Sequence, residues 1–453
     1  MSILSSYRES NLTEKLFYLF IILLPIMEVH QFPYPFGKKI QYSDLFFLIL
    51  FLAFIISYFK TRMEWVKTYL YIPICLYFLM HVFSMFNSTS VLKSLLEITG
   101  VIYLIAIFFL VNNLVNNRDI LHKVLISWML ALGIVLICGL IGLAEVYIFQ
   151  KESSLFMLSY PAPERHKLIH RMIPRVISTL RSPDMLMSYF VVSAGLLIGF
   201  FESTENKKIK TSIITLLGLL LFVALFTTSR GVLALLVCFF IATAVFKERK
   251  NLCLIMTRYL LIIMIAGFFS LFIILTIWAP SKIAVSDSAI AGERNLSIDF
   301  HRTNKFYYYK YALSMIKEHP FIGIGSGNFN KSLKEYYFKN PKRDPYFKDF
   351  ITYDPHSTFF GLGAETGLIG LISFFGIILL FLKYMFDIYK NSEDRYMANI
   401  ALGIMASVIG ILVQAITMDV QNLRFLWFVL GLGIALKNIS QNNNLTESRY
   451  TYG

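Results

Sequence analysis

The sequence predicts an all-α, polytopic membrane protein with about 12 transmembrane helices and a large extracytoplasmic loop. Hydrophobic residues make up 57% of the 453 residues, and charged residues make up only 15%. The mean hydropathy of +0.63 lies well above that of water-soluble chains. The apolar residues also fall into runs that are long enough to cross a bilayer, so the sequence excludes a soluble protein.

The candidate spans are apolar runs of about 17 to 25 residues, a length that crosses roughly 30 Å of hydrocarbon as a helix. They lie near residues 15–30, 43–59, 68–85, 94–112, 121–148, 184–201, 211–229, 231–246, 254–279, 357–382, 397–418 and 424–437. The apolar run from Thr211 to Phe246 is too long for one crossing, and its polar interruption at Thr227–Gly231 predicts a break at Arg230.

The spans divide the chain into four parts. Residues 1–279 hold the first nine helices and an outer loop at about 149–183, and residues 280–356 form the large outer loop. Residues 357–437 hold the last three helices, and residues 438–453 form a cytoplasmic tail.

The large outer loop is predicted to contain a helix that lies in the membrane interface. Phe306, Tyr309, Leu313 and Ile316 recur at helical spacing, and His319-Pro320 ends the pattern. These four side chains are therefore the predicted apolar face.

The formal net charge of +14 would suit a protein that binds nucleic acid. However, most of the short connections between spans that carry lysine and arginine lie on one predicted side of the membrane. By the positive-inside rule, this places both termini in the cytoplasm, and no nucleic-acid partner is expected. The positive-inside rule does not apply to the outer loop at 149–183, because that loop is long. Its basic residues outnumber Glu152 and Glu164, and they are Lys151, Arg165, Lys167, Arg171, Arg175 and Arg181. This excess indicates either an anionic partner or attraction to anionic lipid head groups.

Three arginines lie at predicted outer ends of spans or in outer loops. Arg230 sits between two spans, where it is either a helix-end anchor that reaches lipid phosphate or a fixed cation for an anionic ligand. Arg181 precedes the sixth span, and Asp184 is a candidate to neutralise it. His301 and Arg302 precede the interfacial helix. A diphosphate linked to a lipid would use all three arginines.

His356 lies where the large loop re-enters the membrane, in Asp354-Pro-His-Ser-Thr. It is predicted either to cap the next helix or to act as a general base, since the ordinary pKa of histidine is close to neutrality. Glu365 follows nine residues later, on roughly the opposite side of an unbroken helix, so direct pairing with His356 is not expected. Glu365 is either a supporting residue of the site or a tie between helices.

The glycines of Gly323-Ile-Gly-Ser-Gly327 favour a turn over a phosphate-binding loop, because no βαβ pattern surrounds them. No DxD pair in an outer loop, no HExxH sequence and no Walker A sequence is present. We therefore expect no metal and no cofactor, and any transfer reaction must draw its energy from the substrate.

The sequence resembles the O-antigen polymerase and ligase superfamily of bacterial inner membranes. The resemblance rests on Ser229-Arg230-Gly231, on the block from Arg302 to Phe329 and on the block from Pro355 to Gly370, and it covers mainly residues 178–375. It implies a glycosyltransferase that acts on glycans carried by undecaprenyl diphosphate, without metal, on the outer face of the inner membrane.

Carried over from the resemblance, Arg181, Arg230 and Arg302 contact the diphosphate and His356 is the catalytic base. Glu365 and His301 are candidates for supporting roles. The implied partners are a lipid-linked glycan donor, a glycan acceptor, membrane lipids and a chain-length regulator. The sequence favours a polymerase of lipid-linked repeats, because the outer loops at 149–183 and 280–356 hold six and twelve basic residues and two such loops suit two anionic carriers. A ligase that transfers the glycan to lipid A core stays open, as does a transporter of lipid-linked sugars or polysaccharides.

Overall fold

In the computed structural model, the described residues are 12–27, 41–61, 65–149, 157–159, 174–245, 304–339 and 355–451. They form thirteen α-helices, which are α1 (Leu12–Leu23), α2 (Tyr42–Thr61), α3 (Tyr71–Ser84), α4 (Val91–Leu114), α5 (Arg118–Leu143), α6 (Pro183–Ser203), α7 (Lys207–Leu225), α8 (Val232–Val245), α9 (Asn304–Glu318), α10 (Phe329–Lys339), α11 (Thr358–Asn391), α12 (Arg395–Ala415) and α13 (Arg424–Thr451). A 3₁₀ turn, Met85–Asn87, follows α3, and a π-helical turn, Ala144–Ile148, extends α5.

The predicted helical membrane fold is confirmed. Among the described residues, seven helices are long and apolar enough to cross a membrane, and Tyr71–Asn87 and Val232–Ala242 are shorter apolar helices. Every predicted span overlaps a described helix except the span near 254–279, which lies outside the described residues. The break predicted at Arg230 separates α7 from α8.

A short antiparallel strand pair, which the sequence analysis did not predict, lies in the outer loop at 149–183. Strand β1 (Met157–Ser159) pairs with β2 (Pro174–Val176), with Leu158 opposite Arg175. The pair leads into the turn before α6, and the amide of Val176 donates a hydrogen bond to the carbonyl of Phe226. The loop is thus joined to the turn that carries Arg230.

Helices α6 and α12 form the centre of the bundle and pack with their backbones in close approach. A Cβ on Gly195 would lie 2.4 Å from the Gly403 carbonyl oxygen, and a Cβ on Gly403 would lie 2.3 Å from the Gly195 carbonyl oxygen. Small residues permit this contact between membrane helices, where packing replaces the hydrophobic drive available in water. The Ser407 hydroxyl strengthens the contact with a hydrogen bond to the Val192 carbonyl.

Peripheral helices expose apolar side chains, as a lipid-facing surface requires. Along α2, the exposed side chains are Leu48, Ile49, Leu52, Ile56 and Phe59. The central helix α6 is instead buried along most of its length. The burial pattern is therefore that of a bundle whose outer surface meets lipid.

The helix predicted in the large outer loop is α9, but its predicted apolar face is partly wrong. Leu313 is exposed, whereas Tyr308, Tyr311, Ala312 and Met315 are buried. The buried face is rotated because α9 packs against α11 and also against α10, a second loop helix that the sequence analysis did not predict. The side chain of Phe306 lies outside the described side chains.

Candidate active site

The last two residues of α12 and the irregular residues that follow hold several of the site elements together, and we call this segment, residues 414–420, the 414–420 turn. The Tyr309 hydroxyl of α9 donates a hydrogen bond of 3.3 Å to the carbonyl of Ile416. The amide and the hydroxyl of Thr358, at the start of α11, both donate to the carbonyl of Met418, at 3.2 and 3.0 Å. The turn therefore fixes α9 and the first residues of α11 to the end of α12.

Arg230 lies in the turn between α7 and α8, residues 226–231, which we call the Arg230 turn. Its side chain is exposed. Within the part of the chain that the structure describes, the Arg230 guanidinium makes no hydrogen bond or ion pair, and it lies within electrostatic range of the Tyr309 hydroxyl. A cation held at a span end without an acidic partner is available to an anionic ligand.

Arg175 anchors the Arg230 turn from the outer loop. Its Nε donates a hydrogen bond of 2.7 Å to the Thr227 carbonyl, and its Nη2 lies 3.6 Å from Oδ1 of Asp184. The same carboxylate oxygen accepts a hydrogen bond from the Ser229 hydroxyl. The sequence analysis considered Asp184 as a partner for Arg181, but the described ion pair of Asp184 is with Arg175.

Three non-glycine residues of the described chain have a left-handed backbone, and all three lie at or near candidate residues. They are Ser178 with φ of 53°, Thr228 with φ of 46° and His356 with φ of 49°. Such a conformation costs about 1 to 3 kcal/mol and persists only where the surroundings enforce it. Strain of this kind is often found in ligand-binding segments, and here it marks the turns that precede Arg181 and Arg230 and the residue His356 itself.

His356 is exposed at the entrance to α11. Ser357, not His356, occupies the N-cap position of α11. The His356 ring meets the ring of Tyr308 nearly edge-on, with 5.9 Å between ring centroids. The adjacent side chain, Tyr309, stacks on Phe360 at 4.4 Å.

Two consecutive tyrosines of α9 thus connect the two candidate residues. Tyr308 faces His356, and Tyr309 lies near Arg230. Burial raises the pKa of Tyr309, while the positive charge of Arg230 opposes that rise. An exposed imidazole and an exposed guanidinium therefore flank the same two residues at one end of the bundle.

Of the two other predicted arginines, Arg181 lies within the described residues and Arg302 does not. Arg181 is exposed in the turn between β2 and α6. This turn is fixed by the Ser178 hydroxyl, which donates to the Val135 carbonyl, and by the Thr179 hydroxyl, which donates to the Pro25 carbonyl. His301 and Arg302 lie outside the described residues.

The Glu365 carboxylate organises the glycine-rich segment before α10. Its Oε2 accepts a hydrogen bond from the Gly327 amide and its Oε1 accepts one from the Phe329 amide, each at 3.0 Å. A carboxylate at this place also interacts favourably with the N-terminal end of α10. The contacts give Glu365 a tying role between α10 and α11, one of the two roles that the sequence allowed.

The Gly323–Gly327 segment packs against α11 where that helix is broken. Gly367 has φ of 73° and ψ of −179° inside α11, and a Cβ there would lie 2.3 Å from the Phe321 carbonyl oxygen. On the other side, the buried Ser326 hydroxyl lies 2.7 Å from Nδ1 of His81. These contacts make the segment a turn packed between helices.

The described residues contain no group of three or more His, Cys, Asp and Glu side chains arranged as metal ligands. An open cavity of about 320 Å³ near Tyr384 and Lys437 lies at the opposite end of the bundle and includes none of the candidate residues. The end of the bundle that carries the 414–420 turn instead places the exposed Arg230 and the exposed His356 beside two consecutive tyrosines, an arrangement suited to acid–base chemistry next to an anionic group.

Sequence reasoning missed the residues that support the candidate side chains. In the sequence, Arg175 stands out only as one of the basic residues of its loop. Ser229 stands out only as part of the polar interruption at Arg230. Gln414, whose Nε2 donates a hydrogen bond of 2.8 Å to the Asp184 carbonyl, was not selected. The sequence does contain a signal, because a glutamine near the end of an apolar run requires polar partners wherever it is buried.

Comparison with known proteins gives one family. Residues 215–375 match the family model described as O-antigen ligase. No curated protein matches the chain significantly. The matched residues include Arg230, Arg302, His356 and Glu365, and they overlap the sequence blocks that carry the resemblance. The match supports, for residues 215–375, the resemblance to the O-antigen ligase and polymerase superfamily.

Proposed function

We propose that this protein is a polymerase of lipid-linked oligosaccharide repeats, which transfers a growing glycan from undecaprenyl diphosphate to the next repeat without a metal. The reaction builds an O-antigen or a related surface polysaccharide. The observation that carries the proposal is the placement of Arg230 and His356 on either side of Tyr308 and Tyr309. The family match supports glycan transfer in general.

The proposed reaction is a single displacement at the anomeric carbon. Nε2 or Nδ1 of His356 accepts the proton of the acceptor hydroxyl while that oxygen attacks the anomeric carbon of the donor. The bond between that carbon and the diphosphate oxygen breaks, and undecaprenyl diphosphate leaves with the electron pair. Attack from the face opposite the leaving group inverts the anomeric configuration.

The arginines act on the leaving group. Negative charge grows on the diphosphate as the glycosidic bond breaks, and fixed guanidinium donors stabilise it without reorganisation. Arg230 has this role in the proposal, joined by Arg181 and Arg302. If Arg230 acts like one oxyanion-hole donor, its removal costs about 3 kcal/mol in the transition state, or roughly 100-fold in rate.

The proposal includes the orientation in the bacterial inner membrane. The ends that carry the Arg230 turn, the 414–420 turn and His356 face outward, and both termini face the cytoplasm. This orientation follows the positive-inside rule applied to the short basic connections. Cysteine labelling from each side tests it, and labelling Arg230→Cys and His356→Cys from opposite sides would refute the shared site.

The main test is chain growth in vesicles that contain the full-length protein and a short polyprenyl-diphosphate-linked glycan. We expect His356→Ala to lose the product ladder and Arg230→Ala to slow its growth by roughly 100-fold. Arg118→Ala is the matched control, because Arg118 is an exposed arginine at the other end of the bundle, where it pairs with Asp394 at 3.3 Å. Ladder growth by Arg230→Ala at close to the wild-type rate would reject the assigned role.

A ligase is the second candidate, because the matching family model is described as O-antigen ligase. The two activities differ in the acceptor, so a second reaction includes lipid A core. Transfer that requires the core identifies a ligase, whereas a ladder without the core identifies a polymerase. Movement of the donor across the membrane without a new glycosidic bond would favour the transporter alternative.

A further inference from the structure

Gln414 lies at the junction between the Arg230 turn and the segment that holds His356. It is the last but one residue of α12, and only 3% of its surface is exposed. Its Nε2 donates a hydrogen bond of 2.8 Å to the Asp184 carbonyl. Such a buried polar side chain between two functional turns has a structural cost that requires an explanation.

Toward Arg230, Gln414 acts through Asp184 and Gly231. The carboxylate of Asp184 accepts the hydrogen bond of Ser229, the residue directly before Arg230. A Cβ on Gly231, the residue directly after Arg230, would lie only 3.0 Å from Gln414 Nε2. The Gln414 amide therefore fills the space next to one neighbour of Arg230, where a Cβ would lie, and supports the other neighbour through Asp184.

Toward His356, Gln414 acts through the backbone of the 414–420 turn. Its carbonyl oxygen accepts hydrogen bonds from the amides of Thr417 and Met418, at 2.9 and 3.0 Å. The Met418 carbonyl in turn accepts both donors of Thr358, two residues after His356. A displacement of Gln414 would thus move the support of both candidate residues.

The other amide atom of Gln414 is unsatisfied. Oε1 is buried and has no hydrogen-bond partner among the described residues. A buried acceptor without a donor costs about 1 to 3 kcal/mol, which offsets what the Nε2 hydrogen bond to Asp184 contributes to stability. A glutamine at this position therefore adds little net stability through its amide group.

We propose that Gln414 is a positioning residue for the glycan transfer, which sets the separation between the Arg230 guanidinium and the His356 imidazole. This inference rests on the proposed function. It predicts that replacing Gln414 lowers kcat/KM only when Arg230 is present. If Gln414 contributed only to folding, the loss would be the same with and without Arg230.

The test compares Gln414→Met, Arg230→Ala and the double variant in the full-length protein in vesicles, with kcat and KM for the lipid-linked donor as the readouts. Methionine keeps the size of the side chain and removes the Nε2 donor. We expect Gln414→Met to lower kcat/KM by about 10-fold, a typical result of misplacement at a reacting centre. In the Arg230→Ala background, the same change should cost less than about 2-fold.

Gln421→Met is the matched control. Gln421 is equally buried in the next turn, but its Oε1 accepts a hydrogen bond from Tyr77 instead of meeting the Arg230 turn. We expect its effect on kcat/KM to be the same in both backgrounds. Gln414→Leu serves as a second variant, because it removes the same donor with a different packing.

Independent losses in the Gln414→Met and Arg230→Ala double variant would overturn the inference, as would wild-type kcat/KM in both Gln414 variants. Loss of the folded protein in both Gln414 variants would also overturn it, since that result assigns Gln414 to folding. Failure of the proposed function has a different signature, because Arg230→Ala alone would then retain wild-type kcat/KM.

Discussion

The Glu365 carboxylate provides a quantitative test of the packing between helix α10 and helix α11. It accepts the Gly327 and Phe329 amides at 3.0 Å each, and no helical partner is available to these amides at the start of α10. Each amide left without an acceptor costs about 1 to 3 kcal/mol. We therefore expect Glu365→Ala to destabilise the protein by about 2 to 6 kcal/mol. Glu365→Gln keeps one acceptor oxygen and should cost about half as much.

The assay is thermal unfolding in detergent, followed by donor turnover per folded molecule at low temperature. We expect the unfolding temperature to fall in the order wild type, Glu365→Gln, Glu365→Ala, with turnover of the folded Gln variant close to that of the wild type. Glu318→Gln is the matched control. Glu318 is exposed and accepts a single hydrogen bond of 2.6 Å from Tyr336, so its replacement should change stability by less than about 1 kcal/mol.

The reverse pattern would refute this reasoning. If Glu365→Gln unfolds at the wild-type temperature but loses turnover, the two amides do not depend on the carboxylate. Glu365 would then belong to the reaction and not to the packing of α10. Equal unfolding temperatures for the Ala and Gln variants would show that one retained oxygen does not satisfy either amide.

Three further changes test the neighbouring contacts. Gly367→Ala places a Cβ 2.3 Å from the Phe321 carbonyl oxygen at a positive φ, so we expect a loss of about 3 kcal/mol or more, measured as a lower unfolding temperature. Arg175→Lys keeps the charge near Asp184 but loses the Nε donor to Thr227, and we expect chain growth to slow by about 10-fold, measured as ladder length against time. Arg230→Ala should raise the pKa of Tyr309, because the cation that stabilises the tyrosinate is gone, and difference absorbance against a Tyr309→Phe partner would detect the shift. An unchanged titration would place Arg230 away from Tyr309.

The fold was predictable from the sequence because a bilayer imposes a length and an apolar composition on every span. The break at Arg230 was also readable, since the apolar run from Thr211 to Phe246 exceeds one crossing. The break at Gly367 was not, because a single glycine within an apolar run does not show whether another backbone approaches it. The contact that requires this glycine comes from the carbonyl of Phe321, in a different part of the chain.

The candidate site was predictable only as a set of residue types at one end of the bundle. Arg230, Arg181 and His356 were selected because charged or titratable groups at span ends require a reason. Their supports were missed because an ion pair such as that between Arg175 and Asp184 joins residues of unrelated loops and spans. The apolar face of α9 was partly missed for a related reason, since its tyrosines are amphipathic and their burial depends on the partner helix.

The assembly of the site depends on backbone carbonyls, and this explains why side-chain patterns do not reveal it. The carbonyls of Ile416 and Met418 receive the side chains of Tyr309 and Thr358, so any residue type at 416 and 418 would present the same acceptors. The specificity lies in the partners and in the path of the 414–420 turn. That turn follows α12. The backbone of α12 packs closely against that of α6 at Gly195 and Gly403, and this contact holds the two helices together. In the proposed reaction, the α6–α12 contact and the 414–420 turn hold the supports of Arg230 and His356 in place, and such preorganised geometry is what transition-state stabilisation by fixed charges requires.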